Sequence, residues 1–550
     1  MAEPNPDLKG LDVESWQMVV DMVRQLKNRL LTREKILEFD RRELFPEDTV
    51  RQLLGPDVGL QLLFIPEAYG GMGGGARDCV ATTREMAKIC LGVATAFFAI
   101  QLGADPIMVG ATEAQKEKWL GRIAAGDSLV AYAVTEPGAG SNLSALKTKA
   151  VPDTADGISG YRISGTKQFI STGGYADFVT VLANTPEGPS FFVVEKGTEG
   201  FVQGKGEEKH GIRASNTSPL TFDDVWVPGE NLIGLTPGLG LKQANQVFGY
   251  TRLMVAAMAL GAGESALDIA VRYAAERIQF GTPLSQKQGY THKLIVPNSV
   301  RIEAAAAYID DIAIRLDSED TDLQVEGAIA KLFATEAANR AADDAVQALG
   351  GYGYIREYEV EKIKRDVKIT CIYEGTSEIQ QNIVSMFRWK KTRKTRGGFY
   401  AGISDEMNQL HGEISTAGCR FYALAANALN RTVMMANDHR LMKQQHVMFV
   451  LADMMTAVEV GASLGRKAVR LTREGDPEAE KVRVISRVFA NQVIQTVVGN
   501  LSAILMGTGA FDVRDAQGLF ADMGGEEMAA SYQGVISDMD RVADFLFKRS

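Results

Sequence analysis

Ala131-Tyr132-Ala133-Val134-Thr135-Glu136-Pro137-Gly138-Ala139-Gly140-Ser141 reads as a short strand running into a glycine-rich loop, and it marks a change in the character of the chain. Upstream, from 13 to 125, apolar residues recur at helical spacing, interrupted by Pro66-Glu67-Ala68-Tyr69-Gly70-Gly71-Met72-Gly73-Gly74-Gly75. Downstream, to about 233, short β-type runs at 129–134, 178–182 and 191–194 alternate with Gly, Pro, Asn and Asp turns. From Leu241 onward helical patterns return, as at 253–278 and 322–349, rich in alanine and other helix formers. Past Met386 a basic run of Arg388, Lys390, Lys391, Arg393, Lys394 and Arg396 precedes Gly397-Gly398 and reads as a solvated linker into further helices. The expected architecture is α+β and multidomain. It comprises an N-terminal α-helical bundle (1–128), a middle β-barrel or sandwich domain (129–240), a C-terminal four-helix bundle (241–396) and an extra C-terminal helical domain (397–550).

Composition sets the outer bounds. A chain of 550 residues with 45% apolar and 23% charged residues has the balance of a folded multidomain protein, not of a disordered or many-span membrane protein. A net charge of -10 argues against an overall positive field for nucleic acid, so small molecules and proteins are the expected partners. The four cysteines form no CxxC pair and the five histidines show no zinc-like spacing, so neither a metal nor a disulfide framework is expected. The N-terminal MAEPNPDLKG is polar, with no apolar run, which points to a cytoplasmic protein. The uncharged stretch 488–511 is long enough to span a bilayer. Its Asn491, Gln492, Gln495 and Ser502 gather on one side of a helical wheel, as a buried bundle helix requires, and membrane-surface or partner contact is the alternative.

Three constellations carry chemistry. Glycines in the 131–141 loop let backbone approach a ligand closely and Thr135 and Ser141 add hydroxyls, although a plain hairpin loop has the same composition. In Lys167-Gln168-Phe169-Ile170-Ser171-Thr172-Gly173-Gly174, alternation puts the Phe169 ring and the Ser171 hydroxyl on one face of a strand. That pairing suits a flat heteroaromatic ligand and equally an ordinary half-buried strand. Third, Gln347-Ala348-Leu349-Gly350-Gly351-Tyr352-Gly353 is followed, past Arg365-Asp366, by Ile372-Tyr373-Glu374-Gly375-Thr376-Ser377-Glu378-Ile379-Gln380. A carboxylate between an aromatic and a glycine has its charged form disfavoured on one side, as a general base requires, whereas a lone Glu is by default a solvated surface acid.

In this order and separation the segments resemble the acyl-CoA dehydrogenase family over 60–388. Pro66-Glu67-Ala68-Tyr69-Gly70-Gly71, Gly211-Ile212-Arg213-Ala214-Ser215-Asn216-Thr217 and Glu276-Arg277-Ile278-Gln279-Phe280-Gly281 add to the match. The resemblance implies a helical bundle, a β domain and a second bundle. It also implies FAD as cofactor, an acyl-CoA substrate and dehydrogenation of its α,β carbons, with electrons passed to an electron-transfer flavoprotein. An oxidase that returns electrons to oxygen and a catalytically idle flavoprotein scaffold are the alternatives.

Residue by residue, the resemblance places Val134, Thr135 and Ser141 at the flavin pyrimidine and the thioester. Phe169 and Ser171 cover the isoalloxazine ring, standing where Trp and Thr are common. Arg277, Phe280, Gln288, Gln347 and Gly351 hold the pyrophosphate and adenosine, partly from a neighbouring subunit, which implies a homodimer or homotetramer. Thr376 and Glu378 are further FAD contacts. Glu374 is the base, with Ser141, Arg252, Tyr373 and Gly375 on the substrate side. Members that relocate the base carry an acid where this chain has Thr251. The pocket floor is expected at Ala94, Thr95, Ala96, Phe97, Phe98 and Gln101, mostly apolar and without Arg, which disfavours dicarboxylic acyl groups. The C-terminal extension resembles that of very-long-chain members, which implies a role in dimerisation and weak membrane-surface contact.

Overall fold

The computed structural model describes residues 9–318 and 323–549, so most of the polar N-terminal stretch lies outside the described residues. The chain divides into two units: Met1–Ala262 with Ala313–Gln324 and Arg365–Thr370, and Gly263–Ile312 with Val325–Lys364 and Cys371–Ser550.

Unit 1 opens with helices α1 (Val13–Leu26), α2 (Arg33–Arg42), α3 (Glu47–Leu54), α4 (Ala76–Ile89), α5 (Leu91–Gly110) and α6 (Glu113–Ala124). Their starts are written in the sequence. Asp12 and Thr32 cap α1 and α2, and Thr112 and Gln115 form a reciprocal capping box on α6. Helix α5 is apolar all round and buried, as an interior helix must be.

The sheet is a single curled one of seven strands: β1 (Val130–Ala133), β2 (Lys149–Ala155), β3 (Ile158–Ser171), β4 (Phe178–Thr185), β5 (Gly188–Glu195), β6 (Phe201–Gln203) and β7 (Thr217–Pro228). The order is β1-β4-β2-β3-β7-β6 with β5 on β4, and β1 runs parallel to β4. Inward residues such as Ile163, Val181, Phe192 and Phe222 make its core. The family segment 211–217 is fixed by backbone contact: Ile212 N donates to Asp366 Oδ1 at 2.6 Å, and a Cβ on Gly211 would stand 2.3 Å from the Arg365 carbonyl oxygen. Helix α7 (Gly240–Glu276) contributes to unit 1 as far as Ala262.

The remainder of α7 lies in unit 2, followed by the hairpin β8 (Ile278–Gln279) and β9 (Thr282–Pro283), then α8 (Gln288–Tyr290), α9 (Val296–Ser318, in unit 2 as far as Ile312), α10 (Gln324–Leu349, in unit 2 from Val325), α11 (Glu359–Val367, in unit 2 as far as Lys364) and α12 (Ser377–Lys394). The extension adds α13 (Gly398–Glu413), α14 (Cys419–Asp438), α15 (Gln445–Glu474), α16 (Ala479–Gly507), α17 (Val513–Asp522), α18 (Gly525–Ala529) and α19 (Val535–Phe547). Helix α15 packs on α12 and α16, and α16 on α14 and α19.

Among the described residues four helices, α5, α7, α15 and α16, are long and apolar enough to cross a membrane by length and composition, with 56–83% of their apolar windows buried in the protein. In α16, which holds most of the uncharged stretch, Phe489, Val493, Val497, Leu501 and Ile504 form the buried side. Asn491 is buried as well, donating to Ser531 Oγ at 3.1 Å.

The basic run differs from the linker expected of it. Helix α12 continues through it to Lys394, and Gly397, in the left-handed region at φ +87°, turns the chain directly into α13. Arg388 is buried. Its guanidinium meets Glu459 through Nε and Nη2 at 2.8 Å each and Glu326 at 2.8 Å, while Tyr400 donates to Glu459 at 3.1 Å. Burial opposes its charge, but the two carboxylates outweigh that and hold it firmly protonated. Arg388→Met, which leaves two buried carboxylates without their cation, should therefore destabilise unit 2 by about 3–5 kcal/mol, seen as a lower urea midpoint. Lys394→Met, exposed on the last turn of the same helix, should stay within about 0.5 kcal/mol.

Candidate active site

In unit 1 the loop after β1 hangs on a buried ion pair. Glu136 accepts from the Lys147 and Thr148 backbone N–H groups at 2.7 and 2.9 Å and from Lys167 Nζ at 2.9 Å. Lys167, 0% exposed, also donates to the Val134 carbonyl at 3.1 Å. The Gln168 N–H donates to the Thr135 carbonyl at 2.8 Å. This holds Val134 inside, Thr135 half-buried and Ser141 exposed. A Cβ on Gly138 or Gly140 would touch nothing within 4 Å, so neither glycine serves internal packing and the loop's outer side is open.

The strand carrying Phe169 and Ser171 does not alternate simply. Between Lys167↔Leu220 and Ile170↔Ser218 the register shifts, so Gln168 and Phe169 together oppose Pro219, which has no N–H for the ladder. Phe169 takes a left-handed φ of +59° and its ring is 63% exposed, while Ser171 is half-buried. A bulky aromatic held in that region and turned to solvent signals a surface built for a flat partner. In α7, Thr251 and Arg252 are both buried, and the Arg252 guanidinium lies 5.7 Å from the Phe248 ring centroid. The expected pocket-floor residues lie buried in α5, where Gln101 Nε2 donates to the Tyr250 hydroxyl at 2.8 Å.

In unit 2, Arg277, Gln347 and Gly351 line one cavity of about 470 Å³ together with Tyr273, Gln279 and Tyr352. The Arg277 guanidinium sits 5.7 Å from the Tyr352 ring centroid, an arrangement that orients its fork. A Cβ on Gly350 or Gly351 would meet nothing, which leaves backbone open to a ligand. Phe280 and Gly281 are the two residues of the β8–β9 turn, at φ +52° and +80°, a conformation that favours Asn-Gly. Phe280 is 95% exposed there. Gln288 is engaged elsewhere: its amide donates to both Asp540 carboxylate oxygens, at 3.0 and 3.2 Å. Within unit 2, a guanidinium, an amide and open glycine backbone around one cavity fit the diphosphate of FAD; within unit 1, the exposed Phe169 suits a flat ring such as the flavin.

Glu374 lies half-buried just before α12, at φ +54°, and is followed by Gly375 at +91°. Gln380, 0% exposed, donates from Nε2 to the Glu374 carbonyl at 3.0 Å and the Gly375 carbonyl at 2.9 Å. The Gly375 carbonyl also accepts from Lys331 Nζ at 2.5 Å. Thr376 caps α12 by accepting from the Ile379 N–H, Tyr373 is half-buried, and Glu378 is exposed in the first turn of the helix. Sequence reasoning missed Lys167, Glu136, Lys331 and Gln380 as supports. For Lys331 the available signal was a lone cation inside an apolar run, Gly327-Ala328-Ile329-Ala330-Lys331-Leu332; the other three carry no such mark.

Comparison with known proteins agrees with this architecture. The chain matches the N-terminal (14–127), middle (131–225) and C-terminal (238–387) domain models of acyl-CoA dehydrogenases. It is 38% identical over 378 residues to an acyl-CoA dehydrogenase of Bacillus subtilis (strain 168), covering 66% of this chain and 98% of that one. A solved structure from work on the electron transferring flavoprotein of Acidaminococcus fermentans and flavin-based electron bifurcation superposes with a TM-score of 0.64 at 35% identity, covering 70% of this chain and 98% of that one. The FAD-complexed acyl-CoA dehydrogenase of Bacillus anthracis shares the fold over 97% of this chain and 95% of its own, TM-score 0.82 at 24% identity, so its fold extends over the C-terminal helices. The chain belongs to the acyl-CoA dehydrogenase family, flavoprotein oxidoreductases that act on CH–CH bonds.

The ion pair under the 131–141 loop has a pH signature. Burial alone raises the Glu136 carboxyl, but hydrogen bonds from Thr148, Lys167 and the Lys147 N–H outweigh it and hold the group below the usual 4.5. The unfolded chain therefore takes up this proton first as pH falls, and the stability it contributes, full above about 4.5, is lost through the lower folded value. Urea titrations from pH 7 to 3 should show Glu136→Gln losing less stability over the acid window than the parent. Equal acid losses would remove Glu136 from this role.

Proposed function

We propose that the protein dehydrogenates an acyl-CoA thioester between its α and β carbons, with Glu374 as the base and an electron-transfer flavoprotein as the electron acceptor. The observation that carries this reading is Glu374 itself. It is the acid of the Tyr-Glu-Gly-Thr segment, half-buried, and set in a left-handed backbone conformation that buried donors hold. Its carboxylate takes the α proton, the C–H electron pair becomes the α,β double bond, and a hydride departs from the β carbon. Bound FAD supplies the acceptor for that hydride.

The remaining roles belong to this chain's own residues. The Glu374 backbone N–H donates to the thioester carbonyl and stabilises the enolate-like charge that develops there. Arg277, Gln347 and Gly351 hold the pyrophosphate and adenosine end of FAD, and Val134, Thr135, Ser141, Phe169 and Ser171 border its ring. Arg252, Tyr373 and Gly375 lie toward the substrate. Thr251 cannot serve as an acid, which leaves Glu374 as the base. The B. subtilis relative supports the acyl-CoA substrate, and the A. fermentans structure supports the flavoprotein acceptor.

Anaerobic titration with short, long, branched, cyclic and aromatic acyl-CoAs, following flavin bleaching, tests both reaction and substrate class. Glu374→Gln should keep its FAD and slow bleaching by about 10²–10⁴-fold, the range general-base catalysis supplies; bleaching at the parental rate would remove Glu374 from the mechanism. Arg277→Met should be purified with less FAD per chain than the parent. Hydrogen peroxide formed in step with acyl-CoA in air would replace the flavoprotein acceptor with oxygen.

A further inference from the structure

We infer that Lys331 is a positioning residue for the base, holding the Glu374-Gly375 backbone from the core of α10. This rests on the assignment of Glu374 as base. Lys331 is 0% exposed within an alanine-rich, apolar stretch of its helix, where an ammonium is disfavoured unless its donors are used. One of them is aimed at the loop: Nζ lies 2.5 Å from the Gly375 carbonyl oxygen.

The loop needs such an anchor. Glu374 and Gly375 are consecutive left-handed residues at φ +54° and +91°, and only the second is a glycine. Their carbonyls accept from the same Gln380 amide nitrogen, at 3.0 and 2.9 Å, so the peptide units are turned toward one point inside the protein. Gln380 is uncharged and contacts both carbonyls. Lys331 adds a donor from another helix to the second carbonyl, directly before the Thr376 cap of α12. With the ammonium removed, the Gly375 carbonyl keeps the Gln380 amide but loses its lysine donor, and the Glu374 side chain loses part of what fixes its starting point. A misplacement of about 1 Å in a catalytic group is enough to slow chemistry about 100-fold while leaving substrate binding intact.

The test uses the full-length, FAD-loaded protein and acyl-CoAs from butyryl- to palmitoyl-CoA as probes. Lys331→Met should retain FAD content and flavin absorbance, keep KM within about threefold, and slow single-turnover bleaching about 100-fold. Should that variant fail to fold, Lys331→Gln, which keeps a polar group in the same place without the ammonium, carries the test under the same criteria. A bleaching rate within about threefold of the parent overturns the inference, and so does a loss of rate that merely tracks loss of FAD. Glu374→Gln is measured alongside. If it is inert while Lys331→Met bleaches normally, the positioning role falls alone; if it bleaches normally, the base assignment and this inference fall together.

Discussion

The carbonyl groups of Glu374 and Gly375 are turned into the protein, and that constraint decides much of what surrounds them. A left-handed conformation costs a non-glycine residue roughly 1–2 kcal/mol. A buried carbonyl without a donor costs about as much again. Gln380 and Lys331 remove the second penalty and offset the first, because a hydrogen bond from a charged donor contributes about 1.5–3 kcal/mol. The chain can then enter α12 immediately, with Thr376 as cap. Further along the same helix Arg388 reaches Glu326, also on α10, and Glu459 on α15. The extension enters this scheme through Glu459 and Tyr400, which makes it part of the packing around the base's own helix.

Unit 1 uses the same device on a different scaffold. Lys167, like Lys331, is fully buried and spends one donor on a backbone carbonyl beside a candidate site loop, here that of Val134. Lys167 has a carboxylate within 2.9 Å, yet burial still pushes its ammonium down to about 8. Glu136, in turn, is fixed by two backbone N–H groups of the next segment. One lysine thus ties three stretches of chain together, which an apolar residue of equal volume cannot do. That gain in loop definition offsets the unfavourable burial of the charge.

The fold was legible because periodicity reports burial, and burial follows element type. The β runs read at 178–182 and 191–194 fall inside β4 and β5, and the helical pattern read from 322, a position outside the described residues, matches α10 from Gln324 to Leu349. The basic run after Met386 was illegible for a related reason. Six charges in nine positions look solvated, and nothing nearby in the sequence reveals that Arg388 meets carboxylates 62 and 71 residues away. Phe169 shows the same limit at shorter range. Strict alternation assumes an unbroken ladder, and the break is encoded across the sheet, at Pro219, not in the strand that bulges.

The candidate residues and their supports differ in what they face. A side chain that meets a ligand must match its charge, planarity and hydrogen-bonding pattern, so few residue types serve and the motif stands out in the sequence. Lys331, Gln380 and, beside its carboxylate partner, Lys167 donate to backbone carbonyls, which are the same at every position and leave no compositional mark. Lys331 becomes visible only as a contradiction: a cation with no exposure, in a stretch whose other residues are apolar. Where a sequence holds a charge that burial should have excluded, the reason is to be sought in the backbone that the charge restrains, and here that backbone carries Glu374.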